Sequence, residues 1–146
     1  MKMDMLYTHK HELTQAEAAM KVLVVEDNPI IQRMFSRAIQ LAGITVVVAN
    51  NGSLAVETAL REKPDIILMD VMMPEMNGLD ALRTLKANEQ TKTIPVVMLT
   101  AYEDDKLLTS AMNAGATRYL VKSNLDPQQV IDIIREVVGS APAPTE

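Results

Sequence analysis

A chain of 146 residues with 19 acidic and 14 basic side chains, net charge −5, has the length of one domain and no general electrostatic attraction to nucleic acid. It contains no cysteine, which excludes a thiol nucleophile, a thiolate zinc site and a disulfide framework, and no apolar run approaches the ~20 residues of a membrane span. The aromatic residues Phe35, Tyr7, Tyr102 and Tyr119 are too few for a base-stacking platform, and polar residues stand where a signal peptide has its apolar segment, so a cytoplasmic protein is expected.

Residues 1–20 read as an N-terminal extension, polar, mixed in charge and flexible, with a weak helix at most over Glu12–Ala19. His9 and His11 have no third ligand nearby and read as incidental surface residues. Lys21–Val25 is a short β-branched strand, stopped by Glu26 and Asp27. Asn28 as cap and Pro29 at the first helical position then open a helix that carries Ile30, Ile31, Met34, Phe35, Ala38 and Leu41 and ends at Gly43. Ile44–Ala49 is a second strand, Asn50-Asn51-Gly52 a turn, and Ser53 the expected cap of a helix reaching about Leu60.

The third strand, Ile66–Met69, is wholly apolar and ends on Asp70, with Val71, Met72, Met73 and Pro74 behind it. After Asn77-Gly78 comes a helix with Leu79, Leu82 and Leu85 on one face. Thr93–Leu99 reads as the fourth strand, closed by Thr100; Glu103–Asn113 as the fourth helix; and Ala116–Val121 as the fifth strand, ending at Lys122. Asp126 caps a last helix, Pro127–Val138, and residues 139–146, rich in Pro and Ala, form a flexible tail.

Continuous apolar strands alternating with helices predict an α/β fold, a five-stranded parallel sheet covered on both faces. Such sheets bind ligands beyond the carboxyl ends of their strands, where strand order reverses. Glu26, Asp27, Asp70, Thr100 and Lys122 all lie at such ends. Singly, each has a plain structural reading as a turn acid, a strand threonine or a solvated base. Together they place charge or hydroxyl on one rim from four of the five strands. With order 2-1-3-4-5, strands one and three are neighbours and Glu26, Asp27 and Asp70 crowd together. Like charges at that range call for a cation, and a magnesium ion held by carboxylates and waters fits best. Lys122 and Thr100 suit the oxygens of a phosphoryl group, which makes Asp70 a candidate nucleophile that accepts phosphate.

From Lys21 to about Val138 the chain resembles the receiver domain of two-component response regulators, in Glu26-Asp27, Asp70 with Met73-Pro74 and Gly78 behind it, Leu99-Thr100-Ala101, Tyr119 and Lys122. It is similar in length to the single-domain chemotaxis regulator, whose own strand order is 2-1-3-4-5, so that order rests on the resemblance. The resemblance implies a flavodoxin-like receiver domain over residues 21–138 and a response regulator with no output domain, which is not an enzyme beyond its own phosphoryl transfer and slow dephosphorylation. Asp70 would take a phosphoryl group from a histidine kinase or phosphotransfer protein, or from a small phosphodonor. Mg2+ would be held by Asp27, Asp70 and the backbone carbonyl of Met72, with Glu26 acting through water. Thr100 and Lys122 would contact phosphoryl oxygens. Tyr119 would rotate inward as Thr100 moves, reshaping the face of the fourth helix, fifth strand and fifth helix for a downstream protein, with no nucleic-acid or membrane partner.

Two positions depart from or vary within the family. Ser123 follows Lys122 where the family usually has a proline after a cis bond, and a cis bond before a residue other than proline costs roughly 3 kcal/mol. Met72 and Tyr102, at positions that tune dephosphorylation, are bulky and carry no acid or amide to orient water, which predicts a long-lived phosphoryl group. Met72 also weighs against a haloacid dehalogenase-like phosphohydrolase, which needs a second acid there. The glycine-free Glu26-Asp27-Asn28-Pro29 turn weighs against a nucleotide cradle. A degenerate receiver acting as a phosphorylation-independent binding module is the alternative, resting on Ser123.

Overall fold

In the computed structural model, residues 20–73 and 76–139 are described, and the expected extension and tail outside them are not. β1 (Lys21–Val25) is buried from Val22 onward. Asn28 then accepts from the backbone N–H groups of Ile30 and Ile31 at 2.9 and 3.1 Å, and Pro29, whose missing donor costs nothing at this position, opens α1 (Pro29–Leu41). Gly43, at φ 85°, supplies the left-handed residue that lets the chain turn back into β2 (Thr45–Ala49). The remaining elements alternate in the same way: α2 (Gly52–Glu62), β3 (Ile66–Asp70), α3 (Gly78–Ala87), β4 (Val96–Thr100), α4 (Asp105–Asn113), β5 (Arg118–Val121) and α5 (Pro127–Gly139).

The sheet is parallel throughout, in the order β2-β1-β3-β4-β5, so the expected five-stranded doubly wound architecture is the observed one. Because side chains alternate along a strand, the apolar runs fill two cores at once. Leu23, Val25, Ile67, Met69, Val96 and Met98 meet Ala55 and Ala59 of α2, Leu82 and Leu85 of α3 and Ala111 of α4. Val22, Val24, Ile66, Leu68, Val97 and Leu99 meet Phe35 and Ile39 of α1 and Val130, Ile131 and Ile134 of α5 on the other side. β3, in the middle, is buried at every position. That double burial is why Asp70 at its end is conspicuous.

Several expected boundaries shift where side chains compete for a backbone donor. Asn51, not Ser53, caps α2, accepting from Leu54 N–H at 2.8 Å, and the helix runs to Glu62. Asp104 caps α4, which therefore begins two residues after Glu103. Thr93 and Ile94 belong to a turn rather than to β4: Ile94 N–H bonds Thr91 carbonyl, and the Thr91 hydroxyl bonds Leu85 carbonyl at 2.7 Å. Ala116 likewise closes the turn after α4 by bonding Ala111 carbonyl, and β5 begins at Arg118. Met20 is buried, its carbonyl accepting from Thr45 N–H, so the sheet's packing begins one residue before β1.

Candidate functional site

Strand register builds the site. Val25 pairs with Met69, Asp70 with Leu99, and Thr100 with Val121, so Glu26, Asp70, Thr100 and Lys122 come to one rim at the carboxyl ends of four adjacent strand ends. Carboxylate oxygens of Glu26, Asp27 and Asp70 lie within 4.8 Å of one another. Glu26 and Asp70 are buried, whereas Asp27 faces solvent.

Sequence reasoning left these acids unpaired and in need of a cation. The chain supplies one itself: Lys122 Nζ donates to Glu26 Oε1 at 2.9 Å and to Asp70 Oδ2 at 3.0 Å, with side-chain exposures of 14%, 3% and 7% for Lys122, Glu26 and Asp70. Asp70 Oδ1 accepts from Met72 N–H at 3.2 Å, so both of its oxygens are held. The resulting carboxylate is fixed in orientation at the end of the central strand.

Burial pushes the Glu26 carboxyl up to about 7; the Lys122 hydrogen bond opposes this, and the neighbouring Asp70 adds to it. Burial would lower the Lys122 ammonium, but its bonds to Glu26 and Asp70 outweigh that and hold it above its ordinary value. A carboxyl raised on folding stabilises the fold when protonated. That contribution is complete below the unfolded value of 4.5 and is lost as pH rises through about 7. The cation-free chain should therefore lose stability through Glu26 between about pH 5 and 8, by at most about 3 kcal/mol. Urea unfolding across that range, in the parent and in Glu26→Gln, measures it; an identical pH slope in both would remove Glu26 as its source.

The other expected residues fall in different relations to this cluster. Thr100 is buried at the rim, but its hydroxyl donates to the Tyr102 carbonyl at 3.1 Å and not towards Asp70. Tyr119 packs against the apolar core, and its hydroxyl is buried with no hydrogen-bond partner. The ring is half-buried in this structure while the Thr100 hydroxyl is engaged by the Tyr102 carbonyl. Met72 and Tyr102 are 59% and 62% exposed, at the mouth of the site. Lys122 opens a short 3₁₀ turn, Lys122–Asn124, and no cis peptide occurs among the described residues, so Ser123 accompanies a trans bond without taking Lys122 off the acids.

Two supporting residues were not among the expected site residues. Gln32 Nε2 donates to the Glu26 carbonyl at 3.1 Å, a contact visible only once α1 lies beside the loop. Gly78, read as part of a turn, approaches so closely that a Cβ there would overlap the Asp70 carbonyl oxygen, while its N–H bonds Val71 carbonyl at 2.9 Å. The three convergent carboxylates form an all-oxygen ligand set, with the Lys122 ammonium bonded to two of them. That set fits a hard divalent ion such as Mg2+.

A doubly wound parallel sheet with three acids and a lysine at the carboxyl ends of its strands defines a class of domain, and comparison with known proteins gives its family. The family model for the response regulator receiver domain matches residues 22–135, and the chain belongs to that family. The protein PilH of Pseudomonas aeruginosa PAO1 is 32% identical over 119 residues, covering 82% of this chain and 98% of PilH. Chemotaxis protein CheY4 of Vibrio cholerae superposes with a TM-score of 0.77 at 32% identity, covering 82% of this chain and 98% of that one. The receiver domain of sensor histidine kinase PA1611 from P. aeruginosa PAO1, crystallised with a magnesium ion coordinated in its active-site cleft, has a TM-score of 0.77 at 30% identity, covering 84% and 99%. Among longer curated relatives, the chain spans only 22% to 57% of their length.

Proposed function

We propose that this chain is a phosphorylation-controlled switch of two-component signalling, in which Asp70 accepts a phosphoryl group from a phosphohistidine on a histidine kinase or phosphotransfer protein. The observation that carries the reading is the Asp70 carboxylate itself: it ends the fully buried central strand, is held at both oxygens, and has Glu26, Asp27 and Lys122 converging on it. Asp27, Asp70 and the Met72 carbonyl would hold Mg2+, with Glu26 acting through water. When bound, the ion supplies neutralisation of the charge that builds up between carboxylate and phosphoryl oxygens.

The chain's own groups do the rest. A carboxylate oxygen of Asp70 attacks phosphorus; the new P–O bond forms as the P–N bond to the donor histidine breaks, and the electron pair leaves with the imidazole nitrogen. Lys122, already 3.0 Å from Asp70 Oδ2, passes from a carboxylate to a phosphoryl oxygen with little movement. Thr100 must release the Tyr102 carbonyl to donate to another phosphoryl oxygen, and this is the step that reshapes the loop before α4. The changed face of α4, β5 and α5 is then read by a downstream protein. PilH, matched over 98% of its length, is a relative of about this size, which favours a reading without an output domain; on this reading the chain turns over nothing but its own phosphoryl group.

Intact-mass measurement of the full chain with a small phosphodonor or a histidine kinase, with and without Mg2+, tests the reading. The expected result is a Mg2+-dependent gain of one phosphoryl group; no gain with either donor would sink it. The phosphoryl group should also be long-lived, because Met72 and Tyr102 offer no acid or amide to orient an attacking water. A Met72→Asn, Tyr102→Glu double variant should lose phosphate at least about tenfold faster. Equal decay rates would show that these two exposed side chains do not govern water's approach.

A further inference from the structure

Gln32, in the first turn of α1, makes two bonds back into the loop that carries the first acids. Its side-chain Nε2 donates to the Glu26 carbonyl at 3.1 Å. Its main-chain N–H donates to the Asn28 carbonyl at 2.9 Å, an ordinary i to i−4 bond of the helix. Gln32 thus holds the residues on either side of Asp27.

The same loop is tied at other points, but none of these bonds is made by Asp27. Glu26 N–H donates to the Ala49 carbonyl at 3.1 Å, Asn28 N–H donates to Glu26 Oε2 at 3.3 Å, and Lys122 bonds the buried acids Glu26 and Asp70. Asp27 is the exposed acid, with a carboxylate oxygen within 4.8 Å of oxygens of the other two. Like charge at that range pushes an exposed carboxylate outwards into water, and the Lys122 ammonium is spent on its neighbours. The backbone beneath Asp27 has to resist that push.

A peptide unit is planar, so the Glu26 carbonyl and the N and Cα of Asp27 move as one plate. We infer that Gln32 is a positioning residue for Asp27: through Nε2 it fixes the Glu26–Asp27 peptide plane, and with it the point from which the Asp27 carboxylate extends towards Asp70 to meet a divalent cation. The inference rests on the metal reading given above and deepens it. The hydrogen bond ends on the very peptide that carries Asp27, so no intervening segment has to transmit its effect. Loss of an outer partner of a metal ligand typically lowers affinity by about 10–100-fold, and a bond to the main chain, not to the ligand oxygen, belongs at the lower end.

Gln32→Met keeps the unbranched length of the side chain and removes its donor. NMR of the full chain reads both ends of the argument, the Glu26 carbonyl 13C resonance for the hydrogen bond and the Asp27 amide for the cation. In the parent, titration with Mg2+ should shift the Asp27 amide to saturation. In Gln32→Met the Glu26 carbonyl resonance should move before any Mg2+ is added, and half-saturation should need about tenfold more Mg2+. A Gln32 with a merely structural role would lower stability in urea and leave half-saturation where it was. Gln40→Met, the same change at an exposed glutamine of the same helix, should alter neither signal.

Parental Mg2+ half-saturation in Gln32→Met would overturn the inference, whether or not the carbonyl resonance moves. So would weaker binding with the Glu26 carbonyl unmoved, or equal weakening in Gln40→Met. If Gln32→Met does not fold, Gln32→Asn decides, since its amide falls one methylene short of the Glu26 carbonyl: the same two changes are expected, and a parental titration would overturn the inference. A parent whose Asp27 amide does not respond to Mg2+ at all would instead remove the metal reading, and this inference with it.

Discussion

Asp70→Asn will leave the fold intact and reduce phosphoryl uptake by at least about a thousandfold, to below detection by intact mass. The side chains are nearly the same size, and an Asn oxygen can still accept from Met72 N–H. What is lost is the anionic oxygen that attacks phosphorus, since an amide oxygen is a poor nucleophile and its acyl phosphate cannot form. The change costs little stability because Lys122 retains Glu26 at 2.9 Å, and removing the Asp70 charge also removes one of the influences that raise Glu26. Equal phosphoryl incorporation in the variant and the parent would place the acceptor elsewhere in the chain.

Lys122→Met should have the largest effect on stability, and a divided effect on function. It deletes the ammonium that bridges two carboxylates, both more than nine-tenths buried, and a hydrophobic stem cannot replace it. Leaving buried charge uncompensated costs roughly 3 kcal/mol at pH 8, and less near pH 5.5, where Glu26 takes up a proton. Mg2+ should bind the variant more tightly than the parent, because no tethered cation competes for Glu26 and Asp70. Saturating Mg2+ at about 100 times its dissociation constant should then restore about 2.7 kcal/mol. Phosphoryl transfer should nonetheless fall, since nothing pairs with the incoming phosphoryl oxygen. Urea unfolding with and without Mg2+ measures the first effects and intact mass the last; a variant as stable as the parent at pH 8 and no tighter for Mg2+ would contradict this account of Lys122.

Lys122 also shows where residue patterns stop being informative. Its place at the end of β5 follows from an apolar run that stops on a base, and its role as a charge partner follows from the acids at the ends of β1 and β3. Its actual partners do not: a salt bridge across 96 residues to Glu26 depends on how β5, the 3₁₀ turn and β1 are set relative to one another. Thr100 is similar. Its position at the rim was readable, whereas the direction of its hydroxyl, towards the Tyr102 carbonyl, is decided by the backbone of the loop after β4.

Local chemistry by itself determined the alternation of five strands and five helices, the caps at Asn28 and Asp126, and the rim on which Asp70 stands. Burial periodicity, proline placement and capping are short-range effects that act on adjacent residues. The strand order came from likeness to a family and not from any local signal. Tertiary structure alone decided that Lys122 already neutralises Glu26 and that it neutralises Asp70 as well. Each of those depends on distances between segments far apart in the chain, which composition and spacing do not encode.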